Sequence, residues 1–300
     1  MNDGKKNFLK HYIQKRNDKK TVKLSRSKFG TFAIFLVLLP LSLIMAVPLL
    51  YTILQSVKPI EEYFIYPPKF FVMNPTADNY RTIFSSVDTL GVPFLRYLFN
   101  TVFVTVIGTA ASLLMDLITA YPLAKSKIKG VAFINIALVY AMLFNNETMS
   151  MVRYIIISKL GMIDTYWALI LPSLAGTMCI FLVSQFMSNA VPDSVLEAAR
   201  IDGAGEFRIL FSVVAPSVKA GMLTAFIFTF NSFWSAGSSG YIFSEELKSL
   251  SEAMTSIASS GITRAGAGMA ATLILMIPSV LVFLWNQRSI MNTMAHSGLK

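Results

Sequence analysis

The chain has 300 residues, 54% of them hydrophobic and only 14% charged, with a mean hydropathy of +0.59. Soluble domains carry about 25% charged residues, so this chain cannot cover a water-facing surface and most of it is expected in lipid. Its only cysteine, Cys179, excludes a disulfide scaffold, and its Gly, Pro and hydrophobic content excludes collagen-like and disordered classes.

The net charge of +10 sits mainly at the start, where residues 1–30 hold ten Lys/Arg against Asp3 and Asp18. A basic arm ahead of a long apolar run holds an N-terminus in the cytoplasm and suits contact with anionic lipid. That placement argues against nucleic acid as the partner. The apolar stretch after Phe29 exceeds the ~7–15-residue core of a signal peptide, and no small-residue cleavage site follows it. A retained membrane anchor is expected.

A crossing needs about 20 apolar residues. The first lies at 31–57, interrupted by Pro40 and Pro48, and leads into a polar, proline-containing connector at 58–96. The second, 97–123, is followed at once by Lys125, Lys127 and Lys129. The third, 131–151, is broken near its end by Asn145, Asn146 and Glu147. The fourth covers 166–188, a mixed segment occupies 189–219, and the fifth covers 220–236. A polar stretch, 237–266, precedes the sixth at 267–286, and a short tail covers 288–300. The pattern predicts an all-α integral membrane protein: a basic arm (1–30), a six-helix transmembrane domain (31–287) and the tail. With the N-terminus inside, eighteen Lys/Arg fall on inner segments and eight on outer ones, which favours N-in and C-in. Arg153 and Lys159, on the outer third-to-fourth connector, run against this trend.

Catalytic signatures are missing from the sequence. There is no phosphate-binding Gly-x-x-x-x-Gly-Lys-Ser/Thr loop and no Gly-x-Ser-x-Gly elbow. His11 and His296 lie in opposite tails, and Gly203-Ala-Gly205 is a fragment of a dinucleotide fingerprint. No catalysis, cofactor or metal is expected of this chain.

The segment 189–219 reads as two short helices joined at a turn. Pro192 or Asp193 starts the first, Gly203 ends it by permitting a left-handed backbone, and the second runs from about Glu206 to Val214, stopping before Pro216. A helix–Gly–helix hairpin with charges at its bend is shaped to enter a groove on another protein, and an amphipathic loop lying on headgroups is the plainer alternative.

Glu197-Ala198-Ala199, Asp202-Gly203-Ala204, Phe207 and Pro216 resemble the EAA signature of ABC-importer permeases. Leu160-Gly161, Thr165 through Pro172, Phe186, Pro192 and the tail from Gln287 to Lys300 resemble the maltose-type carbohydrate uptake permeases, in particular their smaller six-span subunit. The likeness covers about residues 30–300. The departures are Glu147 through Tyr154 where the family often has an Ile-Pro-x-Tyr-type segment, and Ala215-Pro216 with Ala220 where it commonly has Leu-Pro and a second proline.

The resemblance implies a type I importer permease in the bacterial cytoplasmic membrane, forming half of a sugar path with a second homologous permease. Two ATPase subunits would bind ATP and magnesium, and an extracytoplasmic sugar-binding protein would deliver the carbohydrate. It implies that Glu197, Ala198, Ala199, Asp202, Gly203, Ala204, Phe207 and Pro216 couple to the ATPase, and that Ser297, Gly298 and Lys300 reach it from the tail. Residues 237–263 are expected either to reach into the docked binding protein or to form a plain solvated loop. Polar residues inside spans usually face a cavity, which makes Asn231, Trp234, Asn145 and Asn146 candidates for the substrate pathway. An interfacial Trp anchor and helix–helix hydrogen bonding are the alternatives. Asp116 is expected to bond a neighbouring helix. Import of a polyol, glycerol phosphate or modified glycan on the same fold, and proton-coupled secondary transport, are the competing functions.

Overall fold

Backbone amides in hydrocarbon must be satisfied within their own segment, and helices do this here; among the described residues there is no strand. The computed structural model describes residues 28–67, 69–89, 91–126, 128–144, 146–237, 240–259 and 264–297. The side chains at 28, 86–89, 146–148 and 288–297 lie outside that description. The chain divides into two compact units, Met1–Tyr51 and Thr52–Lys300.

Helix α1 (Lys28–Ser56) is 29 residues long. At 1.5 Å per residue that is about 44 Å, more than a hydrocarbon core of about 30 Å. Pro40 and Pro48 lie within it without ending it. The connector that follows is folded. Glu62 is buried and accepts hydrogen bonds from the amides of Met73 and Asn74, while Lys58 donates to the carbonyl of Lys69 at 3.0 Å. Helix α2 (Asp78–Thr89) closes the connector.

Helix α3 (Phe94–Lys125) is the mast of the second unit. Around it stand α4 (Val131–Ala141), α5 (Asn146–Lys159), α6 (Trp167–Ile170) with the tight turn Leu171–Ser173, and α7 (Thr177–Ala190). Next come α8 (Asp193–Ile201), α9 (Glu206–Ile209), a π turn (Leu210–Val214), α10 (Ala215–Ser217) and α11 (Lys219–Trp234). Helices α12 (Leu250–Ala258) and α13 (Ala265–Ser297) complete the described chain.

Several segments depart from the single straight spans expected. The third is two helices, because α4 ends at Ala141 and α5 restarts at Asn146, where polar residues interrupt the apolar run. Eleven residues cover about 16 Å, so α4 cannot cross alone. The fourth is a pair bent by 41° between Ser173 and Thr177. The fifth follows an 84° bend at Val218. Among the described residues, three helices are long and apolar enough to cross, or up to five if each bent pair is one crossing.

The stretch 237–263 is corrected in the same way. A third of it is helix α12, whose Leu250, Ala253, Met254 and Ile257 are buried against α2, α3 and α13. Ser249 starts the helix by accepting the amide of Glu252 at 3.2 Å, which is the Ser-x-x-Glu cap. The apolar spacing after that cap is helical, and a polar-average reading of the stretch conceals it.

Close helix contacts rest on small residues, as membrane packing requires. A Cβ at Gly108 of α3 would lie 2.6 Å from the Phe233 ring of α11, and one at Gly221 of α11 would lie 2.7 Å from Phe186 of α7. These glycines let α3, α7 and α11 form one tight group. At one end of that group Leu117, Ala120, Val183, Met187 and Ala225 form a core cluster, and the segment 191–218 packs into it.

Candidate functional site

The hairpin 192–218 is rooted in that cluster. Leu196 of α8, Ile209, Leu210, Val214 and Val218 are all buried in it. The turn has a complete glycine cap: the Ala204 amide donates to the Ala199 carbonyl and the Gly203 amide to the Arg200 carbonyl, each at 3.0 Å. Gly203 sits at φ +80°, where a Cβ is strained. The expected start at Pro192 and turn at Gly203 match the structure.

The far end of the hairpin is a correction. Pro216 does not stop the second helix at Val214; the helical path continues to Ser217. A proline inside an α-helix clashes with the carbonyl four residues back. Here that carbonyl, Ser212, belongs to a π turn, whose wider spacing relieves the clash.

Two polar tethers hold the hairpin to the last turns of α3. Tyr121 donates to Glu206 at 2.6 Å, and Lys125 pairs with Asp193 at 2.9 Å. Glu206 also takes the Arg200 guanidinium at 2.8 Å, and Arg200 and Tyr121 together hold its carboxyl below the usual glutamate range. With its inner face anchored, the hairpin presents the other face to solvent: Glu197, Ala198, Asp202, Gly203 and Pro216 are exposed, as are Ile201 at 86% and Phe207 at 72%. Ala199 and Ala204 pack partly against the cluster.

Of the candidates for a substrate pathway, Asn231 and Trp234 lie one turn apart on α11. Asn231 donates to the Ile227 carbonyl of its own helix at 3.0 Å. Trp234 is buried; its indole donates to the Leu275 carbonyl of α13 at 2.9 Å and stacks on Phe230 at 5.9 Å. Asn145, Gly298 and Lys300 lie outside the described residues, as do the side chains of Asn146 and Ser297. Asp116 is fully buried, and neither of its carboxylate oxygens has a hydrogen-bond partner among the described residues, so the expected bond to a neighbouring helix is not made.

A feature not legible in the sequence is a cavity of about 540 Å³ between α3, α5, α7 and α11. Its lining includes Ser112, Ser173, Thr177, Thr229 and Ser232, together with Arg153, Phe144 and Phe228. Of the polar residues at helical spacing on α3, Thr105, Thr109, Ser112 and Asp116, only Ser112 belongs to this lining.

At the other end of the bundle, Asp164 (φ +58°) accepts the amides of Phe243 at 2.6 Å and Ser244 at 2.9 Å. The amides of Ser244 and Phe243 hold its carboxyl below the usual aspartate value of 3.8. A lowered folded value means that this contribution is complete above the unfolded value and is lost as pH falls through the folded one. The distance between spin labels at positions 163 and 244, attached at one pH before the titration, is expected to be constant from about pH 8 to pH 5 and to lengthen only below the ordinary aspartate value. Asp164→Asn is expected to lengthen it at every pH.

A profile of the family described as "Binding-protein-dependent transport system inner membrane component" matches residues 101–294. The polygalacturonan/rhamnogalacturonan transport system permease protein YtcP of Bacillus subtilis (strain 168) is 32% identical over 200 residues, covering 66% of each chain. Protein LplC of the same organism is 32% identical over 172 residues, covering 57% of this chain and 54% of the relative. The chain thus aligns with just under two thirds and about half of these relatives' lengths. The fold is similar to a crystal structure of a bacterial ABC transporter involved in the import of the acidic polysaccharide alginate, with a TM-score of 0.70 at 21% identity. That likeness covers 89% of this chain and 99% of the other.

Proposed function

As the chain belongs to the family of binding-protein-dependent transport system inner membrane components, we propose that it is one permease half of an ATP-driven importer of a carbohydrate. The observation that carries this reading is the hairpin at 192–218, anchored on one face and presenting Glu197, Asp202 and Phe207 on the other. In this reading the exposed face docks into a cleft of an ATPase subunit, and the tethers to Tyr121 and Lys125 pass its movement to α3. Charged groups at such a contact fix register more than they add affinity.

The remaining assignments belong to the same proposal. The chain crosses the bacterial cytoplasmic membrane six times with both termini inside, α4 and α5 together making the third crossing. A second homologous permease completes the path, two ATPase subunits bind ATP and magnesium, and an extracytoplasmic binding protein delivers the sugar. The basic arm 1–30 and the tail 288–300 lie in the cytoplasm, and Ser297, Gly298 and Lys300 touch the ATPase. The carbohydrate class is supported by the polygalacturonan/rhamnogalacturonan permease relative.

Purification of the complex through this chain, followed by ATP hydrolysis in proteoliposomes with a panel of saccharide-loaded binding proteins, tests the proposal. Stimulation by a saccharide that disappears in Glu197→Arg is the expected result. Uptake that follows a proton gradient with no co-purifying ATPase would establish secondary transport instead.

A further inference from the structure

The connector between α1 and α2 turns its charges inward. Lys58 is 3% exposed; its ammonium donates to the Lys69 carbonyl and lies over the Tyr63 ring at 5.0 Å. Glu62 is 7% exposed, and its carboxylate accepts the amides of Met73 and Asn74. Further bonds fix the segment to the helices on either side. The Thr76 amide donates to the Val57 carbonyl at 2.8 Å, and Asn79 of α2 donates to the carbonyls of Ser56 and Lys58 at 2.9 and 2.8 Å.

The large apolar side chains of the same segment point the other way. Phe64, Ile65, Phe71 and Met73 are exposed, and Tyr66 is exposed by 91%. From 63 to 77 the sequence carries a single charge, Lys69. A concentration of exposed large apolar residues marks a surface that something covers.

Chain position and chemistry both point to lipid as the cover. Helix α1, 29 residues and about 44 Å long, matches the ~40–45 Å of hydrocarbon plus headgroups, so the chain leaves its end at headgroup depth. Aromatic rings with a lysine among them are the composition of a membrane–water boundary, where rings sit at headgroup level and a lysine reaches out to water. A soluble protein that docks and departs would return these rings to water at each release, whereas lipid covers them continuously.

We infer that residues 64–66 and 71–73 dip into the boundary between lipid headgroups and acyl chains and anchor the connector to the bilayer surface. The bonds of Asn79 then carry that fixed depth to α2. Such an anchor serves any solute, so its failure would leave the carbohydrate reading untouched.

Photo-cross-linking in the reconstituted complex identifies the cover, with p-benzoylphenylalanine replacing Phe64 or Phe71 one at a time. The same probe at Val37, an exposed apolar position within α1, is the lipid reference, and at Arg81, on the exposed side of α2, the water reference. Lipid adducts per inserted chain at positions 64 and 71 are expected to exceed those at position 81 by about five-fold or more. A smaller excess at both positions overturns the anchor. So do adducts formed mainly with protein, which would make the second permease or the binding protein the cover. Lipid adducts missing at position 37 as well would overturn the crossing by α1 itself, and the anchor with it.

Discussion

Gly203→Pro is expected to reduce saccharide-stimulated ATP hydrolysis of the assembled complex by about ten-fold or more. Proline holds φ near −65°, whereas the turn requires +80°. Proline also removes the amide that donates to the Arg200 carbonyl. The cap then opens, and the exposed residues on either side of it, Glu197 and Asp202 before the turn and Phe207 after it, lose their relative placement. Gly203→Ala keeps the amide and bears only the left-handed strain of an L-residue, about 1–2 kcal/mol, so its loss is expected to be intermediate. Hydrolysis in proteoliposomes, with co-purified ATPase measured for each variant, separates lost coupling from lost assembly. A proline variant that inserts, assembles and retains full stimulation would show that the turn is only a bend.

Trp234→Ala is expected to destabilise the purified chain by about 3–5 kcal/mol, the range for removing a buried Trp or Phe side chain. Three losses combine in it: the packing of a side chain 6% exposed, the stack on Phe230 and the hydrogen bond to Leu275. Trp234→Phe keeps most of the packing and loses the indole donor, which costs about 0.5–1.5 kcal/mol. Thermal unfolding in detergent ranks the two variants. An alanine variant as stable as the parent but with altered saccharide uptake would instead return Trp234 to the substrate path.

What the sequence disclosed follows the range of the interactions involved. The hairpin was readable because its determinants are local: Pro192 at the first cap, Gly203 at the turn and Gly205 before the second helix lie within fourteen residues. Pro216 misled for the opposite reason. Its usual effect assumes an α-turn behind it, and whether that turn is α or π depends on how Leu210 and Val214 seat in the cluster with Val183 and Met187. For Trp234 the sequence left a pathway role, an interfacial anchor and helix–helix hydrogen bonding open, because the partner carbonyl that makes the last of these lies 41 positions away. The cavity was hidden for the same reason, since Ser112, Arg153, Thr177 and Thr229 converge only when α3, α5, α7 and α11 are assembled. Helix α12 was readable but missed, because the Ser249–Glu252 cap lies inside a stretch of polar average composition.

Helix α3 carries fastenings at both ends. Tyr121 and Lys125 grip the hairpin in its last two turns, while Arg96, Tyr97 and Asn100 in its first two turns bond Glu246, Glu245 and Lys248 at the opposite end of the bundle. Thirty-two residues of helix make a shaft about 48 Å long. A rotation applied at one end therefore arrives at the other with no loop between to absorb it. Probes on the hairpin and on the segment 245–248 would report in step if the shaft turns as one piece, and independently if it does not.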